Sequence, residues 1–206
     1  MPKVKQFWQQ IQALSRKEKL FLLFSMFCSF LISADYAIIR PVSNSLFIHT
    51  YGADFFPYVW LVSLPFNLAV VSLYNYLLPK IGCFKIFIIS TAAVIIGNVF
   101  CGMYISESTS LPFAFYIWKD VYVLLMFQQL WSVIHSTMKM ENAKYLYGFL
   151  FGIGALGAFT GSFIPGFCAV QMGSESLLYF TVPIYLILVG VYFGLLRHSN
   201  HVEKKC

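Results

Sequence analysis

Leu31–Phe47 reads LISADYAIIRPVSNSLF and continues an apolar run, LFLLFSMFCSF, at Leu20–Phe30. Together they exceed the roughly 20 apolar residues a helix needs to cross a bilayer. Yet Asp35 and Arg40 interrupt the run, and Pro41 follows at once. A lone charge facing lipid costs at least about 2.5–3.5 kcal/mol near the bilayer centre. A span that carries two charges must therefore turn one side toward protein or water.

The rest of the chain supports a membrane reading. Of 206 residues, 59% are hydrophobic, 19% are aromatic and 11% are charged. Soluble domains have about 45–50% apolar and 25% charged residues. Only lipid can act as solvent for that much apolar surface. Five more apolar segments follow Leu20–Phe47: Phe55–Leu78, Phe84–Ile105, Leu111–Val133, Tyr145–Val170 and Leu177–Leu196. None shows the alternating ten-residue pattern of a membrane β-barrel. The expected fold is an all-α, polytopic bundle of six transmembrane helices at 20–196. A juxtamembrane segment, 1–19, precedes it and a short tail, 197–206, follows.

Charge gives the orientation. All but two of the 14 basic residues lie before the first segment, between the second and third, between the fourth and fifth, or after the sixth. The other three connections carry Asp54, Glu107 and Glu175 instead. The positive-inside rule places both termini in the cytoplasm, as a bacterial inner-membrane protein would have them. The net charge of +6 comes from these flanks and forms no stripe for nucleic acid. Ser15–Glu18, SRKE, is a capping-box pattern ahead of the first span. The preceding FWQQIQAL reads either as a surface amphipathic helix or as a plain tail. In the fifth segment, Gly148 and Gly152, Gly157 and Gly161, and the series Gly154, Ala158, Ser162 recur at four-residue spacing. Such stripes let helices approach closely, within the bundle or against a partner.

The two basic residues outside the flanks are Arg40 and Lys119, and the matching acids are Asp35 and Asp120. They fall on spans one and four at similar depth. That suggests pairs, Asp35 with Lys119 and Arg40 with Asp120, facing one polar cavity. Tyr36, Ser43, Asn44, Gln128, Gln129 and Trp131 add polar or stacking groups on the same two helices. Arg40 and Lys119 would meet an anionic solute, while Asp35 and Asp120 balance them or couple to protons. The alternative is a static ion-pair cluster. No phosphate loop of the ATPase type, catalytic triad order or metal-ligand spacing occurs. No enzyme activity, cofactor or metal is expected.

Spans one and four as the polar pair resemble the N-terminal half of a major-facilitator-type carrier. PKIGCFK, Pro79–Lys85, is similar to that fold's basic loop between spans two and three. A narrower resemblance is to the ATP/ADP translocases of intracellular bacteria and plastids. It rests on Ser15–Phe47, on YGADFFPYVWLVSLP at Tyr51–Pro65, and on ENAKYLYGFLFGIGA at Glu141–Ala155, where Ala143, Lys144 and Tyr147 match. After Arg40 that family typically carries a lysine and an aspartate, and here Ser43 and Asn44 stand there. The resemblance implies half of a carrier for a small polar or anionic solute, a nucleotide among the candidates. Its partners would be the lipid bilayer and a second six-helix half or a second copy of the chain. The alternative it leaves open is a non-transporting membrane subunit acting in assembly or interaction.

Overall fold

Ser15 starts the first helix. Its Oγ accepts the Glu18 N–H at 3.3 Å, and Glu18 Oε2 accepts the Ser15 N–H at 2.8 Å. This reciprocal cap is the one the SRKE pattern anticipates. The computed structural model describes residues 15–137 and 140–199, those at 140–146 by backbone only. The FWQQIQAL segment lies outside the described residues.

Six long helices follow in order: α1 Arg16–Tyr51, α2 Phe56–Ile81, α3 Cys83–Tyr104, α4 Leu111–Thr137, α5 Met140–Met172 and α6 Thr181–His198. Short 3-10 turns at Ala53–Phe55 and Glu175–Phe180 precede α2 and α6. No strand occurs among the described residues. Gly82 alone connects α2 to α3, at φ 88°, a left-handed conformation that glycine adopts without steric cost. α1 and α2 continue through Pro41 and Pro65 without a break.

Five stretches are long and apolar enough to cross a bilayer: Arg16–Tyr51, Ala53–Ile81, Cys83–Tyr104, Tyr147–Met172 and Glu175–His198. This is the signature of an integral membrane protein. α4, with 27 residues, is long enough but not apolar enough to join them. Its position accounts for its composition. α4 packs against α1, α2 and α3 and buries Phe115, Tyr122, Met126 and Leu130 together with Lys119 and Gln129. A helix wrapped by protein can hold polar groups that a lipid-facing helix cannot.

The helices alternate in direction. At one end the Tyr51 hydroxyl donates to the Thr109 carbonyl at 2.7 Å, and Ser106 Oγ donates to Glu175 Oε1 at 2.8 Å. These bonds draw together the end of α1, the α3–α4 connection and the turn before α6. At the other end Phe24 stacks on His198 with centroids 5.5 Å apart, and the Thr137 and Ser199 hydroxyls meet at 2.9 Å. The core lies between α1, α4 and α6, where Ile38, Ile39, Tyr122, Leu130, Tyr185 and Leu188 are fully or almost fully buried. By contrast α2 buries only Val59, Ser63 and Tyr74. Its outer face, like that of α5, is large and apolar, with Leu61, Leu68, Phe159 and Phe167 exposed.

The most extensive helix pairing joins α1 to α5. A Cβ at Gly157 would run into the Phe30 backbone, and one at Gly161 into the Ala34 backbone. A Cβ at Gly154 would meet Ser29 Oγ at 2.9 Å. Ser29 Oγ in turn donates to the Leu150 carbonyl at 3.0 Å. The stripe in contact is therefore Gly154, Gly157 and Gly161, inside the bundle. The expected series Gly154, Ala158, Ser162 is not the packing stripe, since Ser162 is exposed, and Gly148 and Gly152 face open space.

Candidate functional site

On α1, Tyr36, Arg40 and Asn44 fall at successive i, i+4 positions and share one face. Asn44 is half-buried and Arg40 is exposed. The Arg40 guanidinium stands 5.8 Å from the centroid of the Tyr36 ring. It makes no ion pair among the described residues. Pro41 brings no N–H to the helix, so the Ala37 carbonyl one turn back is left without its helical donor.

α4 supplies the facing groups. Lys119 Nζ pairs with Asp120 Oδ1 at 3.0 Å, and its side chain is 3% exposed against 31% for Asp120. The same ammonium lies 3.9 Å from the centroid of the Tyr116 ring, a cation–π contact one helical turn back. Trp60 of α2 donates its indole N–H to the Tyr116 hydroxyl at 3.0 Å, which fixes the ring. Arg40 lies within electrostatic range of Lys119, and Arg40 and Asp120 within range of Tyr36. The two helices therefore bring Arg40, Tyr36, Tyr116, Lys119 and Asp120 into one cluster. It carries two cations, one carboxylate and two phenol rings.

The expected ion pairs are not those formed. Lys119 pairs with its neighbour Asp120, and Asp35 pairs with neither cation. Asp35 is completely buried and faces the opposite way, toward α4 and α6. The Tyr185 hydroxyl donates to Asp35 Oδ2 at 3.2 Å, while Oδ1 has no hydrogen-bond partner. The Tyr122 hydroxyl is a neighbour of Asp35 and of Asn98 but closes no hydrogen bond to either. Asn98 of α3 accepts from Trp118 Nε1 at 3.2 Å and donates to Thr181 Oγ1 at 3.3 Å. This second cluster is sealed inside the bundle.

The remaining predicted residues are dispersed. Gln128 donates to Asn75 of α2 at 2.8 Å, two turns along α4 from Asp120. Gln129 donates to Ser90 of α3 at 3.0 Å. The Ser43 hydroxyl is buried without a partner. Trp131 packs on Tyr147 and Phe151 of α5, with centroids 5.2 and 5.5 Å away. Sequence reasoning missed Tyr116, Trp60, Tyr122 and Tyr185. The signal for Tyr116 was its spacing, three residues before Lys119 and four before Asp120 on one helix. His198 bonds to the Gly194 carbonyl at 2.8 Å, and no group of three metal-ligating side chains occurs among the described residues.

Compared with protein-family models, curated proteins and solved structures, the chain matches none.

Proposed function

We propose that this chain is a six-span inner-membrane protein with cytoplasmic termini, and one half of a carrier for a small anionic solute. The observation that carries the reading is Arg40. It is a cation within a membrane helix, exposed, without a carboxylate partner among the described residues, and set beside the tyrosine ring of Tyr36. A guanidinium there is costly unless water or an anion meets it. In this reading Arg40 and Lys119 bind the negative charge, bidentately at Arg40. Tyr36 and Tyr116 offer ring faces to a planar group, and Asp120 holds Lys119 when no solute is present. This composition suits a phosphorylated compound with an aromatic moiety, in keeping with the resemblance to the ATP/ADP translocases. The absence of the family's lysine and aspartate after Arg40 leaves fewer charges for a polyphosphate.

Alternating access requires two bundles rocking about a shared site. In this reading a second copy or a second six-helix half would complete the cavity. One observation favours the other reading, a non-transporting subunit. Lys119 is already neutralised by Asp120 at 3.0 Å, as in a structural pair. Equilibrium binding of labelled ADP, orthophosphate and simple organic anions to the purified chain separates the two. Saturable binding that disappears in an inserted Lys119→Met protein supports the carrier. Binding unchanged by Lys119→Met, or no binding of any anion, supports the subunit.

A further inference from the structure

We propose that Asp35 is a proton-binding site, a neutral carboxylic acid held at mid-membrane and separate from the Arg40–Lys119 cluster. The proposal rests on the carrier reading only for its use, not for its chemistry. Asp35 lies near the middle of α1 and has no exposed surface. Among the described residues, no element packed around it presents a facing cation. α6 presents the Tyr185 hydroxyl to Oδ2. α4 presents Tyr122, and the charged group of α4 within electrostatic range of that phenol is Asp120, an acid. α3 contributes Asn98, which is neutral, and α5 meets α1 here through Gly161 against Ala34. Lys119, the nearest candidate by sequence, is held by Asp120 instead.

A buried carboxylate needs a paired cation or several hydrogen bonds to its charge. Asp35 has one hydrogen bond, from a neutral phenol, and an oxygen with none. Even with both phenols turned toward it, its charge would stand alone in an apolar core. A proton on the carboxyl removes that cost. Release needs only water: when α1 and α6 part at Tyr185, the carboxyl O–H bond breaks and its proton passes to a water molecule, leaving carboxylate and hydronium.

The placement on α1 gives the site its use. Asp35 and Arg40 sit on opposite sides of one helix, and the Ala37 carbonyl between them lacks its helical donor because of Pro41. Bending at that point moves the two sites against each other, so protonation inside would bias anion binding outside.

Infrared difference spectroscopy of the full chain in lipid, recorded across pH, tests this. The expected result is a carbonyl band of a protonated carboxylic acid that fades as pH rises. It should be absent in Asp35→Asn and present in Asp120→Asn. Asn has the shape of the neutral acid, so Asp35→Asn should insert and fold as the natural chain does. Identical spectra for the natural chain and Asp35→Asn at every pH would overturn the proposal. Where Asp35→Asn does not fold, the natural chain decides: no acid carbonyl band at any pH would overturn the proposal. The readout needs no bound solute: a band without anion binding leaves the proton site and removes the carrier, and anion binding without a band does the reverse.

Discussion

Asp35 and Arg40 lie five residues apart on α1 and point to different sides of it. At 3.6 residues per turn the separation is about 140° around the helix. Asp35 is completely buried against Tyr185, and Arg40 is exposed beside Tyr36. The two charges therefore serve different environments.

Substitutions at the two positions should differ in cost. Arg40→Gln touches an exposed side chain with no ion pair among the described residues and should change stability by no more than about 0.5 kcal/mol. Asp35→Ala strands the buried Tyr185 hydroxyl and should cost about 1–3 kcal/mol. Thermal unfolding of both variants in one detergent makes the comparison. Equal losses would contradict the separation of the two sites.

The α1–α5 contact makes a second prediction. Gly157→Leu must push α5 off the Phe30 backbone and should destabilise by about 1–3 kcal/mol or more. Gly152 faces open space, so Gly152→Ala should be neutral or stabilise by up to about 1 kcal/mol through helix propensity. Melting midpoints of the two variants should move in opposite directions or, at the least, only the first should fall.

The membrane class, the all-helical fold and most helix positions were legible in the sequence; six spans were expected, and five stretches are long and apolar enough to cross. Apolar runs of span length are a strong signal that needs no tertiary information. The SRKE cap was also legible because both of its bonds are local. The choice of ion pairs was not. Matched depth on spans one and four is necessary for pairing, but helical phase decides it, and the phase of Asp35 points to α6 rather than to Lys119. The same limit applied to the fifth segment. Its glycines occupy more than one face, and only the approach of α1 selects Gly154, Gly157 and Gly161 as the packing stripe. Tyr116 and Trp60 went unnoticed because aromatic residues are abundant in every span.

Asn98 makes a third prediction. It joins Trp118 of α4 to Thr181 of α6 through its two side-chain atoms. Asn98→Leu leaves the Trp118 indole N–H without its acceptor and should cost about 1–3 kcal/mol. Tryptophan fluorescence should shift with it, because Trp118 loses a polar neighbour. A variant with unchanged stability and spectrum would show that this network contributes little to holding α3, α4 and α6 together.

Lys119 gives a fourth. Its partner Asp120 is partly exposed, so Lys119→Met leaves a carboxylate that water can reach. The stability loss should stay below the 3–5 kcal/mol typical of a broken, fully buried pair, while anion binding is lost. Thermal unfolding with and without ligand reports both quantities. A loss in that larger range, with binding retained, would mark the pair as structural.

The most direct test of the central claim is the thermal stability of the purified chain against nucleotides, other phosphorylated metabolites and organic anions, with Arg40→Gln measured beside it. A ligand that binds only the folded state raises stability by about 2.7 kcal/mol at a hundredfold excess over its dissociation constant. The account predicts such a rise for an anionic ligand, and its disappearance in a folded Arg40→Gln protein. No rise with any anion, or the same rise in Arg40→Gln, would contradict it.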